Sequence, residues 1–200
     1  MEKVIEWFLD DIEAELRRIS LVSAPAIEED FLLFNSVETF KTIDEEKRVV
    51  SGPAMKANIN IARKDENGEL YYGFFSEETV RKAAELFFKK GSNMNLTNLE
   101  HEIEIDGVFV FESWLVENKE IDKAVALGFK NVNKGDWYVS MKVENDAVWE
   151  NYLKTGLIRG FSVEAKLKEG EADTLSKIND ILESEADVED KWNMLLEVLK

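Results

Sequence analysis

Over residues 3–18, apolar side chains recur at Val4, Ile5, Phe8, Leu9, Ile12 and Leu16 with acids between them, a spacing that predicts a helix. The period then falls to two. Arg18-Ile19-Ser20-Leu21-Val22-Ser23 alternates and runs into Ala24-Pro25-Ala26, predicting a strand that stops at a proline unable to donate to a ladder. Phe31-Leu32-Leu33-Phe34 is either a short strand or an apolar anchor. Residues 40–43 and 48–51 flank the charged turn Asp44-Glu45-Glu46-Lys47 and read as a hairpin. A second hairpin, 59–64 with 70–75, surrounds Asn67-Gly68. Ser76-Glu77-Glu78-Thr79 then opens a helix whose stripe is Val80, Ala83, Ala84, Phe87 and Phe88 and whose stop is Gly91.

Period two returns at about Leu99. His101, Ile103 and Ile105 share one predicted strand face, and Glu100, Glu102 and Glu104 the other. Asp106-Gly107 predicts a hairpin turn, with 108–116 as the return strand. Counting outward from that turn pairs His101 with Glu112, an acid on the apolar face of Val108, Val110 and Trp114. Residues 117–135 are a polar excursion, 137–143 an alternating strand and 146–154 a short helix. Gly156-Leu157-Ile158-Arg159-Gly160-Phe161-Ser162-Val163 is a turn feeding a strand. Glu169-Gly170-Glu171 reads as a linker, and 174–200 as an acidic helical tail. The resulting expectation is an α+β fold, a mostly antiparallel, barrel-like sheet with flanking helices around Phe8, Ala84 and Trp149. Residues 1–168 would form one domain and 169–200 the tail.

Composition narrows the function. Two hundred residues with 44% hydrophobic content can bury a sizeable core. A formal charge of −17 opposes binding to nucleic acid and to anionic membranes, so proteins are the expected partners. The absence of cysteine removes disulfides, thiolate zinc sites and cysteine nucleophiles, and a single histidine removes a His-rich metal site. No cofactor is expected. No apolar run reaches membrane-spanning length and residues 1–6 lack a signal-peptide layout, so a cytoplasmic location is expected.

The chemistry-bearing residues are few. Ser162 follows Gly160-Phe161, where a glycine leaves the backbone uncrowded for an approaching chain. A serine becomes a nucleophile when a neighbouring base takes its proton, and His101 is the one histidine available. A Gly-x-Ser-x-Gly elbow is absent, since 160–164 read Gly-Phe-Ser-Val-Glu, which argues against an esterase-like hydrolase.

The order of Ile19-Ser20-Leu21-Val22-Ser23-Ala24-Pro25-Ala26, the His101 strand with Phe111-Glu112-Ser113-Trp114, and Gly156 to Ser162 resembles the XkdF-type serine proteases of tailed phages. These are similar to the prohead (capsid maturation) proteases, whose fold is related to the herpesvirus assembly proteases. The resemblance covers roughly residues 19–165. In the general prohead pattern the "SLV-x-x-PA" strand follows the serine strand; here it comes first, as in a circular permutation. The resemblance implies peptide-bond hydrolysis with Ser162 as nucleophile and His101 as base. Its substrates would be scaffold and major capsid proteins, or the chain itself, inside an assembling procapsid in the host cytoplasm, with self-association left open. The family's acid position falls on Arg18, which is not an acid. Glu112 is the substitute third group, with Glu15, Glu164 or no acid as alternatives. The rival reading is a non-catalytic assembly protein that keeps the same fold.

Overall fold

A computed structural model describes residues 3–9, 15–23, 39–65, 67–89, 91, 97–171, 188 and 191–192; of Glu15 and Glu171 it describes only the strand placement. Phe31 to Phe34, the Pro25 stop, the side chain of Glu15 and nearly all of the expected acidic tail lie outside these residues.

Twelve strands are described: β1 (Val4–Phe8), β2 (Glu15–Val22), β3 (Lys41–Asp44), β4 (Val49–Met55), β5 (Ile61–Lys64), β6 (Leu70–Phe74), β7 (Asn98–Leu99), β8 (Ile103–Glu104), β9 (Val108–Leu115), β10 (Trp137–Val143), β11 (Gly160–Lys166) and β12 (Lys168–Glu171). The helices are α1 (Glu77–Lys89), α2 (Lys123–Ala126) and α3 (Asp146–Val148), the last continuing as a π-helical turn over Trp149–Leu153. The strands form three four-stranded sheets, ordered β12-β1-β6-β5, β3-β4-β10-β9 and β11-β2-β7-β8. The fold is α+β with mostly strands, as the periodicity implies, but no sheet closes on itself and the barrel expectation is corrected.

The two early hairpins form as predicted. β3 pairs antiparallel with β4, and β5 with β6 around Gly68, whose φ of +80° suits the turn. Helix α1 begins where Ser76 Oγ accepts from the Thr79 N–H at 3.3 Å, and it buries Val80, Ala83, Ala84 and Phe87. Phe87 meets Trp137 of β10 with ring centroids 5.6 Å apart. One core joins α1 to β2, β4, β7, β9, β10 and β11 through Ile19, Leu21, Val50, Leu99, Val110, Val139 and Phe161.

Three expectations are overturned. The helix expected over 3–18 is replaced by β1 and β2. Ile5, Glu6 and Trp7 are all buried, because β1 sits between β12 and β6 and is covered on both faces; a short apolar run fits either period until its neighbours are known. The linker expected at Glu169-Gly170-Glu171 is strand, since β12 pairs antiparallel with β1 from Phe8↔Lys168 to Ile5↔Glu171. The hairpin expected at Asp106-Gly107 does not pair its arms. β9 finds a longer partner in β10, opposing Glu112 to Ser140, while β8 pairs with β7. The Gly107 carbonyl instead accepts from the Glu144 N–H at 2.6 Å, turning the chain toward another sheet.

Candidate active site

Strand β2 has two unlike faces. Ile19 and Leu21 enter the core with Phe161 and Val163 of β11. The alternate positions, Arg18 and Ser20, oppose Glu164 and Ser162 of β11 on the other face. Directly opposed residues of antiparallel strands project to the same side with Cβ atoms about 4.5–5.5 Å apart. Ser20 and Ser162 are therefore neighbours.

His101 reaches this face from the turn between β7 and β8. Leu21 pairs with Leu99 in parallel, which sets the turn beside β2. The Glu102 N–H donates to the Leu99 carbonyl at 3.0 Å, closing a turn whose central residues, Glu100 and His101, have φ of +51° and +62°. Neither is glycine, and the left-handed region costs an ordinary residue roughly 1–2 kcal/mol. The strain is held by β2. The Glu100 N–H donates to the Leu21 carbonyl at 3.0 Å, and the Glu100 carboxylate accepts from the Ser23 N–H at 2.6 Å. Strained backbone of this kind concentrates at functional positions. Its consequence here is that His101 Nδ1 lies 2.9 Å from Ser20 Oγ. Among the described residues this is the one side-chain hydrogen bond of His101, so Nε2 is uncommitted.

Ser20 is 0% exposed, whereas Ser162 is half-buried. A substrate can approach the second hydroxyl but not the first. Further along the same face Arg18 bridges two acids, its Nε 3.3 Å from Glu164 and its Nη1 3.4 Å from Glu104, and Arg17 lies 3.6 Å from Glu164. Glu164 is thus engaged with arginines two positions from Ser162.

The third group expected at Glu112 is elsewhere. Glu112 lies on β9, in a different sheet from β7 and β8, and the register that would set it beside His101 does not form. Its carboxylate accepts from Ser140 Oγ at 2.7 Å and from Lys123 Nζ. Burial pushes its pKa up, but these two bonds outweigh burial and hold it below the ordinary carboxylate value. The Arg159 N–H, three residues before Ser162, donates to the Val22 carbonyl at 3.0 Å. Ser20 and Glu100 are residues of this candidate site that sequence reasoning did not single out. Ser20 was visible only as part of a strand motif, and nothing local marks Glu100. Among the described residues no group of His, Asp and Glu is arranged to hold a metal ion.

Comparison with known families decides the assignment. Residues 36–171 match the family model described as "Putative phage serine protease XkdF". The chain belongs to this family. The matched span contains His101 and Ser162; Ser20 precedes it. That description assigns the family, by name, to the serine class of phage peptidases. Searches of curated proteins and of solved structures return no match.

Proposed function

We propose that this XkdF-family chain is a capsid-maturation endopeptidase, cleaving scaffold and major capsid proteins, and itself, inside the assembling procapsid. The observation that carries the chemistry is the sole histidine bonded through Nδ1 to Ser20, which is opposed to Ser162. Ser162 is the nucleophile, because it is the accessible hydroxyl of the pair. His101 is the general base through Nε2. Ser20 takes the role usually given to an acid, accepting from Nδ1–H and so keeping Nε2 free.

In the acylation step Nε2 removes the Ser162 proton as Oγ attacks the scissile carbonyl. The resulting imidazolium returns the proton to the leaving amine. Water, deprotonated by the same nitrogen, then releases the acyl group and restores Ser162. A neutral hydroxyl at Ser20 stabilises imidazolium less than a carboxylate would, which suits an enzyme that turns over each assembly substrate a limited number of times. The net charge of −17 turns the chain away from nucleic acid and toward protein substrates.

A second reading has Ser20 itself as nucleophile, favoured by its 2.9 Å contact with His101 and opposed by its burial. One experiment separates these from a non-catalytic assembly role. The full chain is treated with a fluorophosphonate and co-expressed with scaffold and capsid proteins. The label is expected on Ser162, and cleavage is expected to vanish in Ser162→Ala and His101→Ala. A label on Ser20 supports the second reading. Unchanged cleavage by Ser162→Ala would sink the first.

A further inference from the structure

We propose that Asn98 is a positioning residue which, acting through Ser20, holds the His101 proton on Nδ1. The inference rests on the reading of His101 as base. Four strands place a polar row across one face of a sheet. Ser162 opposes Ser20, and Asn98 opposes Glu104. The parallel pair Leu21↔Leu99 sets Asn98 next to Ser20. Both leucines enter the core, so the residues before them point to the other face. Glu104 confirms that side by reaching Arg18.

Asn98 is 1% exposed, and among the described residues its Oδ1 has no hydrogen-bond partner. A buried amide oxygen without a donor is costly, so such an atom needs a reason. Ser20 supplies one. Its hydroxyl carries one proton and two lone pairs, and among the described residues its one side-chain partner is His101. If Nδ1–H donates to Ser20 Oγ, the Ser20 proton needs an acceptor. Adjacent strands lie about 4.8 Å apart, and the buried acceptor left without a donor on the next strand is Asn98 Oδ1. A small side-chain rotation or one bridging water closes the gap. The chain then runs Nδ1–H to Ser20 Oγ–H to Asn98 Oδ1, and Nε2 keeps its lone pair. With the opposite polarity Ser20 would donate to Nδ1, Asn98 would stay orphaned, and the proton on Nε2 would disable the base.

Because the chain has one histidine, its imidazole can be observed alone. The full-length protein is labelled with ¹⁵N,¹³C-histidine, and the tautomer and titration of His101 are read by NMR, without any peptidase assay. Wild type is expected as the Nδ1–H tautomer. Asn98→Leu should move the tautomer ratio toward Nε2–H by roughly fivefold, the worth of one neutral hydrogen bond. Ser20→Ala should do the same, and adding Asn98→Leu to Ser20→Ala should change nothing further. Asn98→Asp, which keeps an acceptor and adds charge, should keep Nδ1–H; it also serves as the test if Asn98→Leu does not fold. A wild-type Nε2–H tautomer, or equal and additive effects of the two substitutions, would overturn the proposal. A chain that shows the expected tautomers yet cleaves nothing would retire the peptidase reading and leave Asn98 in place.

Discussion

Ser20 and Ser162 carry the same hydroxyl on adjacent strands, and burial separates their roles. A hydroxyl that only orients the imidazole contributes one neutral hydrogen bond, about 1 kcal/mol. Ser20→Ala is therefore expected to lower kcat roughly fivefold with KM unchanged, against a loss of many orders for Ser162→Ala. Steady-state kinetics on a capsid-derived peptide checks this; a loss of many orders in Ser20→Ala beside a small loss in Ser162→Ala would point to Ser20 as nucleophile. A second residue-scale effect concerns Asp136, which is wholly buried. It accepts from the Ala57 N–H at 2.9 Å, the Asn133 N–H at 2.7 Å and Lys56 Nζ at 2.6 Å. Burial pushes its pKa up, and the Lys56 ammonium and backbone donors only partly offset this. A carboxyl whose folded pKa exceeds its unfolded one binds protons better when folded, so its contribution to stability falls as pH rises through that window. Lys56→Met removes the cation and widens the window upward. We expect about 3 kcal/mol of destabilisation near neutral pH, shrinking toward acid pH where Asp136 is protonated, as read from urea midpoints. A loss independent of pH would show that Lys56 acts by packing alone.

At the scale of elements, β1 depends on close contact with its neighbours. Trp7 lies over Gly73 of β6, where an added Cβ would come 2.2 Å from the indole Cζ2. Ile5 pairs with Gly73 in the parallel β1–β6 ladder, so neither strand can slide away without breaking it. Gly73→Ala should destabilise by roughly 1–3 kcal/mol, the cost of overpacking a filled site, and thermal denaturation measures it. The turn that presents His101 obeys similar logic. Two non-glycine residues with positive φ survive there because Leu21 and Ser23 of β2 and its extension hold Glu100 from both ends. Glu100→Ala should loosen this turn and reduce activity more than stability.

Across the whole molecule, strand pairing joins distant stretches. β11 meets β2 from the far end of the chain, and β12 meets β1. The boundary expected at 168 therefore cuts through a sheet. A chain shortened after Leu167 should unfold at a lower urea concentration than one shortened after Glu171, because it leaves an edge of β1 without its partner. Equal midpoints would mean that β12 adds nothing to the sheet. The far-ultraviolet circular dichroism of a chain ending at Glu171 should be dominated by strand, with α1 as its main helical contribution.

What the chain determines by itself is local. Alternation at 48–51 and 137–143, Asn67-Gly68, and the Ser76 cap with its apolar stripe each encode an element, because period and turn chemistry act between residues close in sequence. The single histidine and Ser162, two positions after Gly160, were likewise legible as candidates, since they depend only on residue type. Partner choice was not. Residues 4–8 satisfy a helical and a strand pattern equally, and only β6 and β12 on either side select the strand. Asp106-Gly107 is a sound turn signal, yet eight residues of β9 gain more by pairing with β10 than with two residues of β8, and this removes Glu112 from His101. Ser20 became a site residue for the same reason in reverse: a parallel bridge at Leu21↔Leu99, between strands nearly eighty residues apart, sets the histidine turn against it. Long-range pairing depends on which competing ladders bury more surface and satisfy more backbone groups, and that sum exists only in the folded molecule.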